Sequence, residues 1–88
     1  MKPRFVSAAG EFEFGPHATT IGRDKTNTIK VEDPLVSSFH CRVERVVDQF
    51  LLVDCNSTNG TYVNGKLIEK SCQEILGGYI RLTARLRT

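Results

Sequence analysis

The sequence predicts an all-β chain folded as a sandwich, and three observations carry that expectation. Its apolar segments are short and rich in β-branched and aromatic residues, Gly, Asn and Pro interrupt them, and no window keeps a helical period over three turns. No repeat, low-complexity tract or linker divides the 88 residues, so residues 1–88 are expected to form a single domain whose strands share one core. Many short strands around one core imply packed sheets.

In chain order, Phe12 and Phe14 alternate with Glu11 and Glu13, as in a strand with one buried face, and Gly15 and Pro16 end it. Cys41 and Val43 alternate with Arg42 and Glu44 until Val46 and Val47, where a bulge or strand end is expected; Asp48 and Gln49 then read as a turn. Phe50, Leu51, Leu52 and Val53 are apolar on both faces, which suits a central strand, and Asp54 opens a loop. Residues 61–63 and 66–68 flank Asn64 and Gly65, the signature of a type I′ hairpin whose two central residues both need positive φ. Ile80, Leu82, Ala84 and Leu86 alternate with Arg81, Thr83, Arg85 and Arg87, a strand with one apolar and one solvated cationic face.

Composition narrows the function. With 40% hydrophobic and 25% charged residues and no apolar run near the ~18 residues of a membrane span, a soluble chain with no membrane partner is expected. Met1, Lys2, Pro3, Arg4 and Phe5 lack the apolar core of a secretory signal, and three cysteines without C-x-x-C spacing suit a reducing compartment, so a cytoplasmic or other intracellular location is expected. A net charge of +2 is too mild to mark a nucleic-acid binder.

Three loops, residues 22–27, 33–40 and 56–60, hold most of the small polar residues, and loops at one end of a sandwich are where a rigid scaffold presents binding groups. They carry Arg23, Ser37, Ser38 and Thr58. A phosphothreonine brings about −1.5 to −2 charge and three strong acceptor oxygens, which call for a guanidinium fork and several hydroxyl or backbone donors. Gly22 would let the backbone turn tightly beside Arg23.

Ile21-Gly22-Arg23, then Val36-Ser37-Ser38-Phe39-His40, then Ser57-Thr58-Asn59-Gly60-Thr61 and Val63-Asn64-Gly65 resemble, in order and spacing, the signature of the forkhead-associated (FHA) domain family over roughly residues 19–82. The resemblance implies an FHA-type β-sandwich of two antiparallel sheets, with the binding site on loops at one end. It implies a module that binds a phosphothreonine peptide on the substrate of a Ser/Thr kinase. Arg23 and Ser37 would contact the phosphate, Thr58 and Ser38 would add donors, and Asn59 would bond the peptide backbone. Gly22, His40, Gly60, Asn64 and Gly65 would support the binding loops.

Two departures from the family pattern stand out. Leu76-Gly77-Gly78-Tyr79 lacks the usual Gly-Asp, so a loop-supporting carboxylate is missing, and the sequence ends at Thr88 soon after the Ile80 strand. A truncated or atypical last strand is therefore expected, or an edge supplied by a partner, including by dimerisation. These departures leave a second reading open, a phosphate-independent FHA-like assembly domain using the cationic face of Arg81, Arg85 and Arg87.

Other chemistry fails on its own requirements. Residues 60–67 end in Lys66 and Leu67 where a nucleotide-binding P-loop needs Ser or Thr, and they sit on a hairpin. Asp54, Asn56 and Thr58 lack the glycine and closing glutamate of a calcium loop. His40 and Cys41 are adjacent strand residues that point to opposite faces, so Cys41 is expected in the core. Neither an enzyme nor a bound metal or cofactor is expected.

Overall fold

The computed structural model describes residues 2–8 and 10–83. Among the described residues there are ten strands and no helix: β1 (Arg4–Ser7), β2 (Gly10–Glu13), β3 (Thr19–Gly22), β4 (Ile29–Lys30), β5 (Cys41–Val46), β6 (Gln49–Asp54), β7 (Tyr62–Val63), β8 (Lys66–Leu67), β9 (Cys72–Ile75) and β10 (Tyr79–Arg81). They form two five-stranded sheets, ordered β2-β1-β10-β7-β8 and β4-β3-β5-β6-β9. The sandwich expected from the sequence is the observed architecture.

Period-two patterning decides which residues meet between the sheets. Phe5 and Ile80 from one sheet pack with Ile21, Val43, Phe50, Leu52 and Ile75 from the other, all nearly inaccessible to solvent. β6 is central, between β5 and β9, with Phe50 and Leu52 buried and Leu51 and Val53 half-buried, which is why it is apolar on both faces. Cys41 is also in this core, where burial pushes its thiol pKa far above the ordinary range, so it is a packing residue rather than a nucleophile.

The sheets are mixed rather than antiparallel. β1 runs parallel to β10, with Phe5 opposite Ile80, and β3 runs parallel to β4, with Ile21 opposite Ile29. The first pairing joins segments from opposite ends of the sequence, beyond the reach of local patterning. The second exists because the chain doubles back: Thr28 N–H donates to Thr20 Oγ1 at 2.9 Å and Thr20 N–H to Thr28 Oγ1 at 3.2 Å, which holds the return segment beside β3.

β10 is not an open edge. β1 flanks it on one side and β7 on the other, so it needs no strand from a partner. The expected continuation through Ala84, Arg85, Leu86 and Arg87 lies outside the described residues. The start of β10, where the Gly-Asp carboxylate is missing, is bonded to Asn64, whose Oδ1 accepts from Tyr79 N–H at 3.0 Å while its N–H donates to Tyr79 O at 2.9 Å. Asn64 and Gly65, at φ 53° and 84°, form the expected hairpin turn between β7 and β8.

The β5–β6 turn differs by one residue from expectation. Val46 pairs with Gln49, so Val47 and Asp48 are the turn, and Val47 takes φ 57°. Left-handed backbone is unfavourable for a β-branched residue, so local propensity argued for a later turn. The ladder from Cys41–Asp54 to Val46–Gln49 fixes the register and overrides it.

Candidate functional site

β3 and β6 run toward one end of the sandwich and β5 starts there, so the loops of residues 22–27, 33–40 and 56–60 converge at that end. The convergence is hydrogen-bonded throughout. Four consecutive carbonyls of residues 35–38 are each held by a neighbouring loop. Leu35 O accepts from Asn59 Nδ2 at 2.7 Å, Val36 O from Arg23 Nε at 2.9 Å, Ser37 O from Arg23 N–H at 3.0 Å, and Ser38 O from Asp24 N–H at 3.1 Å. Thr58 N–H then donates to Ser37 Oγ at 3.0 Å. Arg23, Ser37, Ser38, Thr58 and Asn59 therefore share one rim.

This bonding leaves donors pointing outward. Arg23 is exposed, belongs to none of the ion pairs among the described residues, and its guanidinium uses only Nε within the chain there. Ser37 Oγ acts as an acceptor toward Thr58, which frees its proton for donation. The hydroxyls of Ser38 and Thr58 have no hydrogen-bond partner among the described residues, and both residues are exposed. Asn59 spends one amide hydrogen on Leu35 O, leaving its other hydrogen and Oδ1 for a ligand. A guanidinium and three hydroxyls on a pinned backbone are the donor types that a tetrahedral oxyanion requires.

Supporting residues hold the rim loops against one another. His40 is wholly buried, with Ser37 N–H donating to its Nδ1 at 3.1 Å. With Nδ1 accepting, Nε2 carries the proton and donates to Gly60 O at 2.7 Å. One neutral imidazole thus ties two rim loops together. Burial lowers the His40 pKa, against the opposing pull of its bond to Gly60 O and the charge of Asp54. Gly22 is required by close approach: a Cβ there would lie 2.3 Å from Ser38 O. Gly60, at φ 88°, would drive a Cβ to within 2.3 Å of Leu67 Cδ1.

Asn64 and Gly65 do not join the rim. β7 carries the chain away from Gly60, so their turn lies at the opposite end of the sandwich, against Gly78 and Tyr79. Their support goes to the β7–β8 hairpin and the start of β10, not to the binding loops.

Asp54, expected only as the start of a loop, is a structural hub. Its Oδ1 accepts from Ser57 Oγ at 2.7 Å and from Thr61 Oγ1 at 2.6 Å, while Oδ2 accepts from Ser57 N–H at 3.0 Å. Ser57 Oγ in turn accepts from Gly60 N–H at 3.0 Å, which closes the loop that presents Thr58 and Asn59. Burial acts to raise the Asp54 pKa, but the bonds from Ser57 and Thr61 outweigh it and hold the carboxyl below the usual range. The three-residue spacing to Ser57 was a readable sign, since Asp commonly bonds backbone and hydroxyls a few residues ahead.

The family model for the FHA domain matches residues 19–78. The chain is 40% identical over 65 residues to "Probable serine/threonine-protein kinase fhkA" of Dictyostelium discoideum, a match covering 65% of this chain and 11% of that protein. The chain spans less than half the length of the curated relatives it matches. Among solved structures, a protein from a structural and functional analysis of phosphothreonine-dependent FHA domain interactions superposes with TM-score 0.73 at 28% identity, over 89% of this chain and 80% of that one. The N-terminal FHA domain of S. cerevisiae Rad53p, in complex with a phosphothreonine peptide, superposes with TM-score 0.60 at 28% identity, over 72% of this chain and 54% of that one.

Proposed function

The chain belongs to the FHA domain family, and from that premise we propose that it is a phosphothreonine-reading module that joins its protein to a partner marked by a Ser/Thr kinase. One observation carries the reading: the rim combines the Arg23 guanidinium, which forms no ion pair among the described residues, with the hydroxyls of Ser37, Ser38 and Thr58 on a backbone already pinned by four carbonyl contacts. Arg23 and Ser37 bind the phosphate, Thr58 and Ser38 add donors, and the remaining amide groups of Asn59 bond the peptide backbone. Gly22, His40 and Gly60 hold these groups in place. Two relatives of the fold whose structures concern phosphothreonine support the choice of ligand.

We assign the chain binding and no catalytic step, and we propose that residues 1–88 are one FHA module, because β1 and β2, which precede the family match, complete the sheet that contains β10. An intracellular location follows from the ligand, since kinases of this class act inside the cell. Among the described residues no helix is long and apolar enough to cross a membrane.

The test is a peptide library presented in phosphothreonine, phosphoserine and unphosphorylated forms, with Arg23→Ala measured beside the parent. The expected outcome is phosphothreonine-dependent binding that the substitution abolishes. A pocket for the extra methyl is worth about 1 kcal/mol, so threonine is preferred to serine by several-fold. Equal binding of all three forms would favour phosphate-independent assembly instead.

A further inference from the structure

Asn27 lies at the end of the Arg23 loop, and none of the residues assigned above accounts for its arrangement. It is 8% exposed, and its Nδ2 donates to Asp24 O at 2.9 Å and to Ser38 O at 2.8 Å. Both amide hydrogens are thus spent on carbonyls from two different rim loops. Asn27 N–H also donates to Asp24 O at 3.2 Å, closing the turn that follows Arg23. Its Oδ1 is buried with no partner among the described residues. Exchanging Oδ1 and Nδ2 would press an oxygen against two carbonyl oxygens, so the orientation is fixed by its surroundings.

The same point is sterically closed. A Cβ on Gly22 would stand 2.8 Å from Asn27 Nδ2 and 2.3 Å from Ser38 O. Gly22, Asn27 and the Ser38 carbonyl form a three-way junction with no slack, directly beneath Arg23 on one loop and Ser37 on the other. Ser38 O accepts twice here, from Asp24 N–H and from Asn27 Nδ2. The buried acceptor left unsatisfied on Asn27 is a local cost, and such costs are retained where a fixed geometry matters to function.

We propose that Asn27 is a positioning residue for phosphate recognition: by bonding Asp24 O and Ser38 O at once it sets the separation between the Arg23 guanidinium and the Ser37 and Ser38 hydroxyls. The proposal rests on the phosphothreonine reading of the rim. It requires an amide, because two carbonyls demand two donors on one small planar group. Aspartate has the same size and no donor, and would set carboxylate oxygens against both carbonyls.

The test compares the parent chain with Asn27→Asp and Asn27→Ser, each alone and combined with Arg23→Lys. Affinity for one phosphothreonine peptide and its unphosphorylated form is measured by calorimetry, and amide hydrogen exchange is followed without ligand. Asn27→Asp is expected to cut phosphopeptide affinity at least tenfold while binding of the unphosphorylated form stays unchanged. Asn27→Ser, which keeps one donor, falls between. In the Arg23→Lys background the further loss shrinks to twofold or less, because the group being positioned is already altered. The Arg23 and Asp24 amides, bonded to Ser37 O and Ser38 O, exchange at least tenfold faster, while Val43 and Leu52 are unaffected.

Parent-like affinity in both Asn27 variants overturns the proposal. So does an undiminished loss on the Arg23→Lys background, or an equal rise in exchange at Val43 and Leu52, which would mark a general stabilising role. A variant too unstable to titrate passes the decision to the other. If the parent binds no phosphothreonine peptide, the functional reading fails and phosphate positioning with it, and the exchange data then report only whether Asn27 couples the loops.

Discussion

Substituting Gly22 by alanine tests whether the rim depends on backbone contact between its loops. The added methyl would sit 2.3 Å from Ser38 O and 2.9 Å from Ser38 C, against an ordinary contact of 3.4 Å or more. A backbone carbonyl cannot rotate aside as a side chain can, so the Ser37 and Ser38 segment must retreat by about 1 Å. The bonds Arg23 N–H to Ser37 O, 3.0 Å, and Asp24 N–H to Ser38 O, 3.1 Å, then stretch beyond useful geometry. Overpacking of this kind costs about 1–3 kcal/mol, so a loss near 2 kcal/mol should lower the melting temperature by about 8–16 °C in a domain of this size. Moving Ser37 away from Arg23 forfeits about one charge-assisted hydrogen bond to phosphate, or roughly 10- to 150-fold in affinity. Thermal denaturation and calorimetric titration with a phosphothreonine peptide measure both. Gly15→Ala is the control, because Gly15 is exposed and an added Cβ there meets nothing within 4 Å. If Gly22→Ala matches that control in stability and affinity, the loops are not held by this contact.

Further outcomes follow from other parts of the molecule. Because the folded pKa of His40 lies below its ordinary 6.5, the unfolded chain takes up a proton that the native chain refuses as pH drops through that value. Stability should therefore be full above pH 6.5 and fall below it, by up to about 1.4 kcal/mol per pH unit; urea denaturation at pH 7.5 and 5.5 measures this, and a slope unchanged in His40→Gln would contradict it. Val47 is 85% exposed at φ 57°, so Val47→Asn loses no packing and relieves strain, stabilising the chain by about 1 kcal/mol in the same denaturation assay. Gly78→Ala combines φ 84° with a Cβ 2.2 Å from Asn64 Oδ1. It should destabilise by about 1–3 kcal/mol yet leave peptide affinity at saturating folded fraction unchanged, since it acts at the opposite end from the rim.

What the sequence disclosed was local, and what it hid was long-range. The doubly apolar run at Phe50 and the Asn64-Gly65 turn are signals confined to a few neighbouring residues, and both appear where expected; the strand read from Phe12 and Phe14 ends earlier, at Glu13, with Phe12 half-buried and Phe14 buried just beyond it. The parallel pairing of Phe5 with Ile80 couples residues far apart in sequence and leaves no periodic trace in either. Val47 shows a turn residue chosen by the register of a long hairpin against its own preference.

The rim divides in the same way. Arg23, Ser37, Ser38, Thr58 and Asn59 could be named because their types match an anionic ligand and their blocks keep a family order. That order says nothing about direction: Asn64 and Gly65 follow the binding-loop blocks directly in sequence, yet β7 carries them to the far end. Asp54 bonds within its own loop, to Ser57 and Thr61, a role its spacing to Ser57 makes readable, whereas Asn27 donates to Ser38 O on a separate loop, a role visible only when the loops are brought together.

If the rim at Arg23, Ser37, Ser38, Thr58 and Asn59 is the phosphothreonine-reading surface, a bound peptide must perturb it and spare the far end of the sandwich. Backbone amide chemical shifts followed by NMR during titration with a phosphothreonine peptide test this residue by residue. The expected shifts concentrate at Arg23, Ser37, Ser38, Thr58 and Asn59, with Asn64 and Gly78 unmoved and no response to the unphosphorylated peptide. Shifts centred at the Asn64 end, or the same pattern with and without the phosphate, would contradict it.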